Sequence, residues 1–299
     1  MMKMIQVRKK LENTWAVDNV TIHVAKGSIY GLLGSNGAGK TTLLKIMSGI
    51  YLQDDGEVIF DGNQVFENPS NKRRIFFIQD SPYFIPQYTV KQMANFYSQI
   101  YSRWDWECYE ALIASFEMNT NKKIHRFSKG IQRQAAFIFA LSAKPDVLIL
   151  DEPMDGLDPV LRKKIKSLII DEVAAREMTV IISSHNLREV EDLCDTIGIM
   201  HKGKLILEKD IDDLKSDTHK IQIAFKGPVP PVIYQNMKVL HKEKRGSIVL
   251  LIAKGDEEEI SSVIQSYQPI IFDLLHLTLE EIFIYEMEDV GYAVKNILN

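Results

Sequence analysis

Apolar positions in this chain come in short blocks whose spacing alternates between a period of two and a period of three to four. Residues 4–8 and 17–24 read as strands, with Val20, Ile22 and Val24 alternating against polar neighbours. Residues 29–33, 57–61 and 74–78 are further strand-like runs, the last ending at Gln79. From Thr89 the spacing turns helical: Val90, Met93, Phe96, Tyr97 and Ile100 share one face, and further helices are predicted over 105–118 and 128–143. A continuous apolar strand follows at 147–150, then a helix over 159–175, a strand at 178–183 and a short helix at 187–194. Two apolar runs, 197–200 and 204–207, flank the turn Lys202-Gly203.

Strands alternating with helices predict an α/β fold around a mostly parallel sheet covered on both faces. The helical block at about 85–143 sits between two strand-like runs and reads as an inserted subdomain. The pattern restarts at 215–218. Strands at 219–225, 247–253 and 269–272, with helices over 256–267 and 278–287, predict a small C-terminal α+β domain. The expected division is therefore 1–216 and 217–299.

Composition narrows the class of protein. A hydrophobic content of 45% and a charged content of 25% are ordinary for a globular chain, and a net charge of −4 carries no whole-chain signature of nucleic-acid binding. Cys108 and Cys194 stand far apart without metal-type spacing, which argues against a disulfide framework or a zinc site and fits a reducing compartment. The start has no signal-peptide shape, and the apolar helical patch 135–143 is closed off by Arg133 and Lys144, far below the roughly 20 residues a span needs. The expectation is a cytoplasmic polypeptide that does not itself cross a bilayer.

The chemistry begins where the strand 29–33 ends, at Gly34-Ser35-Asn36-Gly37-Ala38-Gly39-Lys40-Thr41-Thr42. A strand, a G-x-x-x-x-G-K-[ST] turn and a following helix form the context that makes a phosphate-binding loop credible. Glycines at 34, 37 and 39 let the backbone close around phosphate with its N–H groups pointing inward, and the helix start adds its positive dipole end. Lys40 is expected on the β- and γ-phosphates, Thr41 on Mg²⁺ and Thr42 near the α-phosphate. More than a hundred residues later, Asp151 and Glu152 close the strand 147–150. Next to a phosphate loop, such acids suit a Mg²⁺ ligand and a base for an attacking water.

The run Asp151-Glu152-Pro153-Met154-Asp155-Gly156-Leu157-Asp158-Pro159 resembles the Walker B and D-loop segment of ABC-type ATPases. Phe127-Ser128-Lys129-Gly130-Ile131-Gln132 resembles their signature motif, Gln79 their Q-loop, and Ser183-Ser184-His185 their switch-histidine segment. With the phosphate loop, all five stand in family order across about residues 2–215. The chain thus resembles the ATP-binding subunits of ABC transporters, within them the bacterial exporter-type cassettes with an extra C-terminal domain. It leans towards the Ytr-type subgroup linked to acetoin utilisation and peptide-antibiotic responses.

That resemblance implies a P-loop NTPase core of ABC type and a set of roles. Lys40 and the loop amides would bind ATP; Thr41 and Asp151, with Gln79 nearby, would serve Mg²⁺; Glu152 would be the general base; His185 would contact the γ-phosphate. Ser128 and Gly130 would reach ATP held by a second ATPase subunit, identical or different, and Asp158 would bridge the two. Membrane-spanning subunits would be separate chains, holding this one at the inner face of the membrane. Lys129 and Ile131 replace the Gly and Gln common in the signature, and Lys129 is expected to face solvent. The family's adenine-stacking aromatic aligns with Leu11, which lacks a π-face; Trp15 would substitute only if the loop folds differently, and core or surface packing suits it better. Trp104 and Trp106 suit either core packing or a face for a membrane partner. A soluble ABC ATPase acting on nucleic acid or ribosomes is the alternative function. Against it, the chain has one cassette, no long coiled-coil insertion and no cysteine zinc motif.

Overall fold

In the computed structural model, which describes residues 1–235 and 237–289 and side chains as far as Tyr285, the uninterrupted apolar runs become the middle strands of a sheet. Contacts divide the chain into two units, Met1–Glu208 and Lys209–Asn299. The first unit opens with β1 (Met2–Leu11), β2 (Thr14–Val24), β3 (Ile29–Leu33), α1 (Lys40–Met47), β4 (Asp55–Phe60), β5 (Asn63–Gln64), α2 (Pro69–Lys72) and β6 (Ile75–Ile78). Three helices follow, α3 (Val90–Ile100), α4 (Trp106–Ser115) and α5 (Lys129–Ser142). The unit closes with β7 (Val147–Leu150), α6 (Pro159–Arg176), β8 (Thr179–Ser184), α7 (Leu187–Glu191), β9 (Thr196–His201) and β10 (Lys204–Asp210).

The central sheet has the order β10-β9-β3-β8-β7-β6. Its pairs β9–β3, β3–β8, β8–β7 and β7–β6 are parallel. Every residue of β3, β7 and β8 is buried, which is why these strands show no polar alternation. Beside this expected sheet stands a second, antiparallel one, ordered β2-β1-β4-β5, which the alternation of 17–24 marks and the single-sheet expectation did not separate. It points Met2, Met4, Val7, Val20 and Ile22 into one cluster with Leu43, Leu44 and Met47 of α1. Asp61 and Gly62, with φ of 49° and 82°, turn β4 into β5 as an Asp-Gly hairpin.

The helical block α3–α5 is inserted between β6 and β7, which remain neighbours in the sheet. Each of its helices starts on a side-chain cap: Thr89 with Gln92 in a capping box, Asp105 on Cys108 N–H, and Ser128 on Ile131 N–H. Its interior is aromatic. Trp104 stacks on Tyr97 at 6.4 Å and meets Trp106 edge-on at 5.6 Å, so both tryptophans belong to the block's own packing, Trp106 keeping an exposed side.

The second unit runs α8 (Ile211–Ser216), β11 (Thr218–Ala224), α9 (Val232–Gln235), β12 (Lys238–Arg245), β13 (Ile248–Lys254), α10 (Glu257–Ser266), β14 (Ile271–Leu275) and α11 (Leu279–Asp289). Its sheet, β12-β13-β11-β14, is antiparallel throughout. The run β11 to β14 has the β-α-β-β-α-β order of a split-βαβ layer. Ile221, Ile223, Val249 and Leu251 meet Ile233 of α9 and Ile260 and Ile264 of α10 on one face. The strand β12 is absent from the sequence expectation; its residues Lys238-Val239-Leu240-His241-Lys242-Glu243-Lys244-Arg245 form a charged edge.

Asp146, at the entry to β7, ties several segments of the first unit together. Its Oδ2 lies 2.5 Å from Arg74 Nε and 2.7 Å from Arg103 Nη2, and its backbone carbonyl accepts Thr179 N–H of β8. Burial works to raise its pKa, but the Arg103 and Arg74 guanidiniums outweigh it and hold the carboxyl below its ordinary value. A depressed carboxylate pKa contributes stability above the unfolded value of about 4, lost as pH falls through the folded value. Asp146→Asn should therefore cost about 1 kcal/mol near neutrality, the scale of a partly exposed ion pair. Its deficit against the parent should shrink in acid. Thermal melts of both proteins across that range check this, and a deficit that does not change with pH contradicts it.

Candidate functional site

The loop between β3 and α1 is held in a shape that only glycine permits at two points. Gly34 has φ 153° and a Cβ there would stand 2.4 Å from Met200 O; Gly39 has φ 106° and a Cβ would stand 2.2 Å from Ala16 O. Gly39 is also the N-cap of α1 and has no side chain to cover the helix start, so the first amides of α1 face an open cavity. That cavity, about 280 Å³, is lined by Ala16, by Ser35, Asn36, Gly37, Ala38, Gly39, Lys40, Thr41 and Thr42, and by Asp80 and Glu152. Lys40 is buried at its floor, with Nζ donating to Gly34 O at 2.5 Å and standing 3.1 Å from Glu152 Oε1.

The two acids at the end of β7 are set by one hydroxyl of the neighbouring strand. Ser183 Oγ in β8 donates to Asp151 Oδ1 at 2.7 Å and accepts Glu152 N–H at 3.0 Å. Asp151 is fully buried, and its own N–H is held by Ile78 O of β6. Glu152 adopts φ 45°, a left-handed conformation that costs a side-chain-bearing residue about 1–2 kcal/mol. The result is a carboxylate aimed back at the loop. Its Oε1 faces Lys40, while Oε2 accepts His185 N–H at 3.3 Å and lies 2.9 Å from His185 Nδ1. A carboxylate on Nδ1 holds the ring proton there and leaves Nε2 for another partner. Asp155 joins the same group: Glu152, Asp155 and His185 bring carboxylate and imidazole atoms within 4.8 Å of one another.

The structure thus gathers the phosphate loop, Lys40, Glu152 and His185, with Asp151 behind them. The signature residues lie elsewhere. Ser128 is the exposed N-cap of α5 and accepts Ile131 N–H at 3.4 Å; Gly130, in the first turn, has Gly156 O 3.9 Å from where a Cβ would be. Asp158 caps α6 by accepting Val160 and Leu161 N–H at 3.0 and 2.9 Å. Lys129 is exposed, as expected. Gln79 lines a different cavity, with Ser48, Ile50, Phe77 and Tyr101; its neighbour Asp80 faces the loop. Leu11 sits half-exposed at the end of β1, and the residue of this hairpin that lines the loop cavity is Ala16 of β2. Asp80, Asp155 and Ala16 are absent from the sequence-based site; the first two stand inside or beside motifs already singled out, and Ala16 carries no functional group to notice. Among the described residues no helix is long and apolar enough to cross a membrane.

The residues fit the groups that the sequence implies. Converging amides over a buried ammonium suit a polyphosphate. Thr41 and Asp151 offer the hard oxygen donors that Mg²⁺ takes.

Comparison with known proteins is consistent across sequence and fold. The family model for the ABC transporter matches residues 17–155. The ABC transporter ATP-binding protein YtrB of Bacillus subtilis is 33% identical over 284 residues, covering 95% of this chain and 97% of that protein. The bacitracin transport ATP-binding protein BcrA of Bacillus licheniformis is 36% identical, covering 69% of this chain and 68% of that one. Among solved structures, the dimeric ABC transporter cassette MJ0796 superposes with a TM-score of 0.64 at 22% identity, over 71% of this chain and 99% of its own.

Because a Cβ at position 39 collides with backbone rather than with a movable side chain, Gly39→Ala should distort the loop. Strain of about 1–3 kcal/mol corresponds to nucleotide binding weakened by about five- to 150-fold. Equilibrium dialysis with ATP measures it, and an affinity unchanged from the parent would contradict the assignment of this loop.

Proposed function

The chain belongs to the ABC transporter family, as an ATP-binding and ATP-hydrolysing subunit, and from that premise we propose how its own residues divide the work. The observation that carries the proposal is Glu152, placed by Ser183 so that one carboxylate touches both Lys40 and His185. Lys40 and the amides of 35–42 bind the phosphates of ATP. Thr41 and Asp151 would hold Mg²⁺, which when bound would neutralise charge on the phosphates; Gln79, expected beside them, lines a separate cavity. Glu152 takes the proton of the attacking water, and His185 holds the γ-phosphate through the nitrogen that Glu152 leaves free.

Ser128 and Gly130 lie at the start of α5, with no part in lining the loop cavity of their own chain. A helix N-terminus with one exposed hydroxyl suits a phosphate held by another subunit. ATP then joins two ATPase subunits, with Asp158 near the seam, and hydrolysis separates them. The first unit acts as the ATPase domain, expected over 1–216, and the second, which includes α8, as the accessory domain. Separate membrane-spanning subunits carry the substrate, and this chain is cytoplasmic, peripheral on the inner face of the membrane through them. A nucleic-acid or ribosomal role has no feature in its favour: the net charge is −4 and the relatives compared are named for transport.

Two outcomes test these roles. Glu152→Gln should retain ATP and lose turnover by about 10²–10⁴-fold, the range for a general base; hydrolysis at the parental rate would remove Glu152 from the mechanism. Base recognition should rest on the β1–β2 hairpin at Trp15 and Leu11, both part-exposed apolar residues. Loss of an aromatic contact of about 0.5–1.5 kcal/mol predicts that Trp15→Ala weakens ATP about three- to tenfold and Leu11→Ala less. Equal affinities for all three proteins would place the adenine elsewhere.

A further inference from the structure

Arg133 is a buried cation with no part in the phosphate cavity, and its contacts reach two separate segments. It lies in the second turn of α5 and is 7% exposed. One guanidinium nitrogen donates to Asp80 O at 2.5 Å and to Asp80 Oδ1 at 2.9 Å, and the other donates to Asp155 O. Asp80 follows β6 and Asp155 follows β7, so one planar fork joins the signature helix to the segments after two different strands. A lysine cannot reproduce that geometry, because its donors radiate from a point. The placement also carries a desolvation cost, because a buried guanidinium must replace its water. The Asp80 carboxylate and two backbone carbonyls meet that cost.

The two segments that Arg133 holds are not passive. Asp80 lines the phosphate cavity of its own chain. Asp155 lies within 4.8 Å of the Glu152 and His185 groups. One turn before Arg133, α5 carries Gly130, which stands over Gly156 beside Asp155, and its start is capped by Ser128. We propose that Arg133 is a positioning residue that ties the chain's own nucleotide site to the signature surface it presents to its partner, so that the two move as one body. This rests on the reading that Ser128 and Gly130 serve a nucleotide held by another subunit. The clamp itself, however, is a property of the single chain.

The test is hydrogen exchange of the full chain, read by mass spectrometry, with Arg133→Met beside the parent. Losing a charge-assisted fork of about 1.5–3 kcal/mol should speed amide exchange around 80–84 and around 155–158 together, by about tenfold or more. Exchange in β7 and β8 should not change. ATP affinity by equilibrium dialysis should stay within about threefold while turnover at saturating ATP falls about tenfold or more, the same loss read as rate. Should Arg133→Met fail to fold, Arg133→Lys keeps the charge, loses the fork and carries the same test. Unchanged exchange at either segment, or unchanged turnover, would overturn the proposal. A parent that does not bind ATP would instead defeat the reading of the nucleotide site, and the exchange result would still judge the clamp.

Discussion

The placement of Glu152 is the constraint on which the rest of this site depends. A residue with a side chain does not adopt φ 45° unless its surroundings compel it. Here Ser183 Oγ takes its N–H, and Lys40 and His185 take its carboxylate. The consequence is an acid that leaves its strand and turns back over the phosphate loop, while Asp151, one residue earlier, stays buried between β6 and β8. Two adjacent carboxylates thereby acquire different surroundings and different work. The parallel sheet makes this possible, because the ends of β3, β7 and β8 lie side by side at one edge.

Helix starts do the complementary part. The first amides of α1 face the loop cavity because Gly39 caps that helix with no side chain. The first turn of α5 is exposed and capped by the hydroxyl of Ser128. One start serves the chain's own nucleotide, and in the proposed function the other serves a neighbour's. Arg133 of α5 donates to Asp80, which lines the cavity that the start of α1 faces. The buried charge in α5 thus has a structural reason that no local preference would supply.

Much of this was legible in the sequence because it depends on spacing along the chain. Buried parallel strands read as unbroken apolar runs, and the phosphate loop, the acids after β7 and the histidine after β8 each follow such a run directly. What escaped depends on contacts across the chain. The second sheet formed by β1, β2, β4 and β5 shares its alternation with many one-sided strands, so its separateness was not visible. The strand β12 carries a charged edge and almost no apolar signal. Asp80, Asp155 and Arg133 are ordinary surface-type residues whose meaning comes only from being brought together. Gln79 and Leu11 carry their expected roles only through the family resemblance, and in this structure Asp80, next to Gln79, and Ala16, on the strand paired with that of Leu11, line the cavity instead.

The central claim is that one chain supplies the phosphate loop and the base while another supplies the helix start that completes the site. It is tested most directly by the mass in solution of the Glu152→Gln chain, with and without ATP and Mg²⁺. The account predicts a monomer that becomes a dimer only when ATP is present, since binding is kept and release by hydrolysis is slowed. A chain saturated with ATP that remains at its monomer mass would contradict pairing between copies of this chain and point to a different partner cassette or a need for the membrane subunits.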